Sequence, residues 1–424
     1  MTTKQPNILF ILIDDMGYAD LGCYGSSFYE TPRINALADE GMRFTDAYAS
    51  CPVCSPTRAS IMTGKYPATV NITNYIPGNA WGKLMGVPYL HALPLSETSI
   101  AQTLKTEGYR TYHVGKWHLG PKGHWPEDFG FDVNIGGCDI GAPYAHGYFS
   151  PWNIPNLPNG KDGDYLTDGL TDEAIKLLRQ GDDRPFFMHL SHYAVHSPIQ
   201  APEDLVEKYR GKAAAMGLDK QSPFTSGENY PCLHLKDKQI VRRTFQSDPA
   251  YAAMVENLDM NIGRVLDTLD ELGIADNTMV IFTSDNGGLS SSETSPTCNA
   301  PLSEGKGWMY EGGIREPMIV RAPGMTAAGS TCDSPVISTD FFPTILELAG
   351  LPAQPNLHLD GESFVPLLQG KTRDRRPMFW HYPHYGNQGG APTGAVREGD
   401  WKLIEWYEDG QLELFDLSQD VSEE

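Results

Sequence analysis

Long apolar runs are absent from this 424-residue chain. The longest, Ile8–Ile13, falls far short of the ~20 residues that a membrane-spanning helix needs, so no membrane partner is expected. The opening Met1–Pro6 carries no apolar leader and no cleavage site, and the chain as written reads as cytoplasmic, with a periplasmic or secreted location the alternative where a signal has been removed. Basic residues are also scarce. Against 54 Asp and Glu stand 32 Lys and Arg, a formal net charge of -22, which excludes broad capture of nucleic acid or of an acidic membrane. Any anionic substrate must then meet a local cationic pocket. The seven cysteines are an odd number scattered along a long chain, which excludes a disulfide scaffold. Repeats and low-complexity tracts are missing too, and nothing in the sequence specifies an oligomeric state.

What is present is a globular composition, 40% hydrophobic and 20% charged, in a chain long enough for one large domain and a smaller one. Asn7–Ile13 is a continuous apolar run carrying β-branched isoleucines and ending in Asp14-Asp15-Met16-Gly17, the pattern of a strand buried on both faces with acids at its carboxyl end. Thr31 to Glu40 reads as a helix with Thr31 as N-cap and Pro32 at the first position. A helix over Ala101–Glu107 is followed by a strand over Tyr109–Val114, leading into GKWHLG. Phe186–Ser191 reads as a strand delivering His192 and His196, and a helix over Tyr251–Leu272 precedes a strand over Thr278–Thr283 and then Ser284-Asp285-Asn286-Gly287. Alternating strands and helices with polar clusters after strand ends predict an α/β fold, a large doubly wound mixed or parallel sheet flanked by helices, with its site along the carboxyl edge. After residue 370 short strands over Pro377–Tyr382, Thr393–Arg397, Trp401–Trp406 and Gln411–Asp416 predict a smaller C-terminal α+β subdomain built on an antiparallel sheet. The expected domains are 1–370 and 371–424.

Three clusters carry chemistry. Cys51-Pro52-Val53-Cys54-Ser55-Pro56-Thr57-Arg58 admits a redox pair, since Pro56 is placed to open a helix and Arg58 to stabilise an anion. A zinc site is disfavoured because no second C-x-x-C exists. Asp14-Asp15 and Asp285-Asn286 are two pairs of oxygen donors after buried strands, suited together to a hard divalent cation, although each pair alone is as well explained by loop capping. Lys116, His118, His196 and Lys306 recur in glycine- or proline-rich segments, where cations beside hard ligands suit a tetrahedral oxyanion. His113, His124, His189 and His192 read as structural or supporting.

Taken in order, these segments resemble the type I sulfatases of the alkaline-phosphatase superfamily. Cys54-Ser55-Pro56-Thr57-Arg58 matches the C-x-P-x-R signature and Gly108–His118 the second signature, joined by DDMG, AVHSPIQAP, SDNGG and EGKGWMYEGGIREP. The resemblance implies that Cys54 is oxidised to Cα-formylglycine by a formylglycine-generating maturation enzyme, leaving Cys51 incidental. It also implies that Asp14, Asp15, Asp285, Asn286 and the modified Cys54 coordinate Ca²⁺, with Mg²⁺ the alternative. Arg58 then favours the deprotonated gem-diol that attacks sulfur, His196 with Lys306 protonates the leaving oxygen, Lys116 holds a sulfate oxygen, and His118 takes the proton that lets sulfate depart.

Two departures stand out: Glu316 after Arg315, where relatives often carry an apolar residue, and an end at Glu424, where many relatives add a helix, so that a truncated subdomain is expected. The aromatic and amide-rich stretch Phe379–Gly390 suggests His381, His384, Asn387 and Gln388 as sugar contacts, since sugar sites use planar amides and aromatic faces. The expected substrate is a carbohydrate sulfate monoester of galactose or N-acetylgalactosamine type. A phosphonate monoester hydrolase or phosphodiesterase of the same superfamily, a non-catalytic binding protein and a thiol oxidoreductase are the rivals.

Overall fold

The computed structural model describes residues 5–78 and 80–424; Met1–Lys4, at the head of the segment read above for a leader, and Asn79 lie outside the described residues. The strands are β1 (Asn7–Ile13), β2 (Met42–Tyr48), β3 (Arg110–Gly115), β4 (Val133–Ile135), β5 (Phe186–Ser191), β6 (Phe224–Asn229), β7 (Gln239–Arg243), β8 (Thr278–Ser284), β9 (Arg315–Arg321), β10 (Ser330–Cys332) and β11 (Val336–Ile337). They are followed by β12 (Met378–Tyr382), β13 (Thr393–Glu398), β14 (Trp401–Trp406) and β15 (Gln411–Asp416).

The main sheet runs β10-β2-β9-β8-β1-β5-β3-β4, with β11 added beside β2. All its pairings are parallel except those of β9 with β2 and β8. The apolar run of β1 is explained by its place between β5 and β8. Leu9, Ile11 and Ile13 enter one core with the helices Pro32–Glu40, Leu166–Arg179, Glu203–Ala215 and Pro249–Glu271. Ile8, Phe10 and Leu12 enter the opposite core with Cys54–Thr63, Ile100–Thr106 and Phe341–Leu348. Each buried Leu, Ile or Phe contributes about 1.5–3 kcal/mol, so a polar residue on either face of β1 would be resisted. Its carboxyl end is the first place where acids are tolerated.

Two helix starts follow side-chain capping chemistry, and a third replaces it. Asp248 accepts from the amides of Ala250 and Tyr251 at 3.0 and 3.1 Å, with Pro249 at the first position, and Ser99 accepts from Gln102 N at 3.0 Å. Thr31 occupies the N-cap position expected of it, but its hydroxyl accepts from Gly22 N at 2.9 Å instead. The first-turn amides of Arg33 and Ile34 are taken by the carboxylate of Asp259, at 3.1 and 2.7 Å. A partner distant in sequence has displaced the local cap.

The small antiparallel sheet β12-β13-β14-β15 shares a core with the main domain in which Met378, Trp380, Tyr382 and Ile404 meet Tyr48, Val53 and Met309. Trp380 Nε1 donates to the Ala49 carbonyl at 2.8 Å. Lys402 Nζ, fully buried, donates to Glu311 Oε1 at 2.9 Å and to Glu423 Oε1 at 2.8 Å, so the sheet fastens the turn that follows Lys306. No helix among the described residues is long and apolar enough to cross a membrane.

His113 and His189 meet across β3 and β5, Nδ1 to Nδ1 at 3.0 Å, and neither ring nitrogen of His192 has a hydrogen-bond partner among the described residues. Burial holds both His113 and His192 down to about 3. Their unfolded value is near 6.5, so the unfolded chain takes up these protons first: the stability they allow is complete above about pH 6.5 and is lost as pH falls toward 3. Between pH 7.5 and pH 5 each accounts for about 2 kcal/mol of that loss. His192→Met is expected to reduce the fall in unfolding free energy over this interval by about 2 kcal/mol in urea titrations; an unchanged fall would contradict the assignment.

Candidate active site

Strand ends of the main sheet converge on one cluster. Pairing continues past β1, where Asp14 N donates to Ala194 O at 3.1 Å, Val195 N to Asp14 O at 2.8 Å and Asp285 N to Ile13 O at 3.1 Å. This brings Asp14, Asp15, Asp285, Asn286 and the His192–His196 segment to one edge. Gly115 closes β3 at φ 103°, where a Cβ would meet Ser191 O at 1.9 Å; only glycine permits the approach by which Lys116 N donates to that carbonyl at 2.7 Å. Asp15 and His118 themselves sit at φ 61° and 58°, a conformation that non-glycine residues adopt mainly where function holds them.

Charge is paired throughout. Lys116 Nζ donates to both oxygens of Asp14 at 2.8 and 2.7 Å. Lys306 Nζ donates to Asp15 Oδ2 at 2.8 Å. Arg58 Nε donates to Asp285 Oδ2 at 2.8 Å, while its Nη1 donates to Ser191 Oγ at 2.6 Å and to the Lys116 carbonyl at 3.1 Å. Burial pushes Asp14 up to about 7, only partly opposed by Lys116. Burial also works against Asp15, but the cationic side chains around it, Lys306 and Lys116 among them, outweigh it and hold that carboxyl below its usual range. Burial opposes the charge of Lys306, yet Asp15 and Glu293 hold its pKa well above the usual value.

These residues fit a hard divalent cation. Asn286 Nδ2 donates to Asp15 Oδ1 at 2.8 Å, while its buried Oδ1 has no donor among the described residues, as a metal-binding amide oxygen requires. Asp14, Asp15 and His196 present atoms within 4.8 Å of one another. His196 is better occupied elsewhere, since Lys306 Nζ lies 2.9 Å from its Nε2, and the oxygen set of Asp14, Asp15, Asp285 and Asn286 suits Ca²⁺ or Mg²⁺ by donor hardness. Three carboxylates face three fixed cations, so a bound divalent ion leaves the pocket positive for an anionic ester.

Cys54 is the first residue of the helix Cys54–Thr63, with Sγ 3.3 Å from His118 Nδ1. The sulfur marks where a hydroxyl on the same carbon would stand after oxidation. Burial pushes the Cys51 thiol up, away from the thiolate that a redox pair needs. A cavity of about 530 Å³ opens over Cys54, His118, His196 and Lys306, walled by residues 139–146, Trp152, Glu293, Asn387 and Gln388.

The structure thus brings the expected metal and catalytic residues together, and Asn387 and Gln388 with them, but leaves out two sugar contacts. The in-out alternation of β12 turns His381 to the surface, where Nδ1 lies 2.9 Å from Tyr407 Oη; His384 is buried with Nε2 2.8 Å from Thr73 Oγ1. Neither lines the cavity. Glu316 is buried with neither oxygen hydrogen-bonded among the described residues, and burial, then Asp285 and Asp15, push it well above its usual range; nothing else in the structure explains it. Glu293, Tyr144 and Ser191 were missed from the sequence, which holds no motif around them.

A buried nucleophile position, hard oxygen ligands and paired cations at the carboxyl edge of a doubly wound sheet define a metal-assisted hydrolase of an oxyanion ester. The family model described as Sulfatase matches residues 6–351, and that described as N-sulphoglucosamine sulphohydrolase, C-terminal, matches residues 304–424. A sulfatase of Formosa agariphila is 32% identical over 500 residues, covering 99% of this chain and 84% of its own. Arylsulfatase A of Homo sapiens is 33% identical over 408 residues, covering 94% and 74%, and N-acetylgalactosamine-6-sulfatase of Homo sapiens 34% identical over 406 residues, covering 89% and 68%. The crystal structure of Ps i-CgsB in complex with k-i-k-neocarrahexaose matches with a TM-score of 0.77 at 29% identity, over 99% of this chain and 88% of that one. The chain therefore belongs to the sulfatase family within the alkaline-phosphatase superfamily, and it is a sulfuric ester hydrolase.

Asn286→Leu keeps the branched shape of the side chain and removes the unpartnered oxygen together with the Nδ2 donor to Asp15. Millimolar Ca²⁺ added to chelator-stripped protein is expected to raise the melting temperature of the wild type, because an ion that binds only the folded state stabilises it, and to leave Asn286→Leu nearly unmoved. Equal shifts would place the ion elsewhere.

Proposed function

We propose that this sulfatase hydrolyses a sulfate monoester on a carbohydrate of galactose or N-acetylgalactosamine type, using Cys54 matured to formylglycine and Ca²⁺ held by Asp14, Asp15, Asp285 and Asn286. The observation that carries the reading is the position of Cys54 Sγ beside His118 Nδ1, at the floor of a cavity that Lys306 and His196 flank. The relatives named for N-acetylgalactosamine 6-sulfate and the neocarrahexaose complex support a sugar. When bound, the cation supplies Lewis-acid polarisation and favours an ionised oxygen at position 54.

The rest follows from this chain's own hydrogen bonds. The Ile76 carbonyl faces His118 Nε2 and can only accept, so the proton stands on Nε2 and Nδ1 presents a lone pair toward position 54. Burial, with Lys116 adding to it, holds His118 well below its usual range, so it is a neutral base ready to take a proton from that position. On the opposite wall, His196 Nδ1 lies 2.8 Å from the Ser197 carbonyl and must donate to it, which leaves Nε2 to accept from Lys306. Lys306 spends one proton on Asp15 and one on His196. Its third is free for the leaving oxygen, with His196 holding the ammonium in line. Arg58, fixed by Asp285 and Ser191, keeps the nucleophile side cationic.

With a galactose or N-acetylgalactosamine sulfate as substrate, matured wild type is expected to turn over repeatedly, whereas Cys54→Ala and Cys54→Ser stop at or below one turnover. Steady turnover by either variant, or preference for a phosphate diester over every sulfate ester, would contradict the reading. His196→Ala should slow a sugar sulfate by about 10²–10³-fold but 4-nitrophenyl sulfate far less, because a good leaving group needs little proton donation. Equal losses on both substrates would remove the role of His196 in holding the Lys306 ammonium for leaving-group protonation.

A further inference from the structure

One group of cavity atoms is used by neither the metal ligands nor the catalytic residues. Glu293 lies beside the His196–Lys306 pair, its carboxylate held from three segments: Oε2 accepts from Ser197 Oγ at 2.6 Å and from Tyr144 Oη at 3.0 Å, and Oε1 accepts from Gln388 Nε2 at 3.0 Å. A carboxylate offers about four acceptor positions, so one remains on Oε1. Because a carboxylate cannot donate, Gln388 must turn its NH₂ toward it, and Gln388 Oε1 is then left without a donor among the described residues although Gln388 is only 4% exposed. Asn387 repeats the pattern: Nδ2 donates to Tyr75 Oη at 3.1 Å and Oδ1 has no donor among the described residues. Both amide oxygens are closed to solvent, which leaves Glu293, lining the cavity, to meet the donors of a ligand.

The backbone under Glu293 is held in an uncommon conformation. Ser292, Glu293, Thr294 and Ser295 have φ of 68°, 45°, 76° and 45°, the left-handed region that non-glycine residues enter chiefly at clamps and active sites. The β6–β7 hairpin fastens this segment from outside, through the Arg242–Ser291 bridge and a 3.1 Å bond from Ser295 Oγ to Val241 O. Burial works against ionisation of Glu293, but its cationic surroundings, Lys306 first, and the Ser197 hydroxyl outweigh it and hold the carboxyl below its usual range. The wall is both acceptor-rich and negative.

We propose that Glu293, held in place by Gln388, Ser197 and Tyr144, forms a leaving-group subsite that takes a hydrogen-bond donor of the sugar carrying the scissile sulfate and excludes a second sulfate or carboxylate there. This rests on the carbohydrate reading above. A second anion would meet a like charge, while Arg58, Lys116 and Lys306 are already paired with carboxylates, and like-charge contact of this kind is strongly unfavourable.

The test compares kcat/KM for a galactose or N-acetylgalactosamine monosulfate with that for the same sugar bearing an added sulfate on the neighbouring hydroxyl, in the wild type, Glu293→Gln and Glu293→Asp. The wild type is expected to favour the monosulfate, Glu293→Gln to reduce that preference about tenfold, mainly through KM of the disulfate, and Glu293→Asp to keep it. The ratio is independent of the fraction of active protein, and a structural defect passed to His196 through Ser197 would lower both substrates alike. An unchanged ratio in Glu293→Gln overturns the subsite and leaves the carbohydrate reading standing. Failure of the wild type on both sugars, while it hydrolyses 4-nitrophenyl sulfate, overturns the carbohydrate reading and the subsite together.

Discussion

The structure depends on keeping three buried carboxylates together. Asp14, Asp15 and Asp285 lie within a few ångströms at the ends of adjacent strands, in an environment that would drive isolated carboxyls neutral. Each is matched by a cation from another segment: Lys116 after β3, Lys306 from the loop before β9, and Arg58 from the helix that begins with Cys54. A buried pair of this kind adds little net stability, but removing one partner typically costs about 3–5 kcal/mol. The balance therefore acts as a positional constraint that locks five segments into one geometry. The same cations then face the anionic ester.

That constraint explains the architecture around it. Gly115 is needed because Lys116 must leave β3 against the Ser191 carbonyl, and β1 must be apolar on both faces because it is central. The C-terminal sheet serves the site at one remove, since Lys402 and Glu423 grip Glu311 and through it the turn behind Lys306.

Much of this was legible in the sequence because strand ends write themselves plainly: a mainly apolar run rich in β-branched residues stops at paired acids in β1 and at Ser284-Asp285-Asn286 in β8, so fold and ligand set came from one pattern. Lys116, His118, His196 and Lys306 were found through flanking glycines and prolines and through family resemblance. What escaped had no period to read. Glu293 and Tyr144 sit in irregular loops, and only folding carries them to the cavity. His381 and His384 were chosen for composition, which does not say where a side chain points; the alternation of β12 and the hydroxyl of Thr73 decided that. Thr31 lost its capping role to Asp259, a partner more than two hundred residues away.

The account stands most directly on the chemical state of Cys54. Protein made together with a formylglycine-generating enzyme should yield a tryptic peptide Phe44–Arg58 about 18 Da lighter than the thiol form, the difference between CH₂SH and CHO, with fragmentation assigning the loss to Cys54. A preparation that hydrolyses sulfate esters repeatedly while that peptide retains both thiols, or carries a Cys51–Cys54 disulfide, would contradict it.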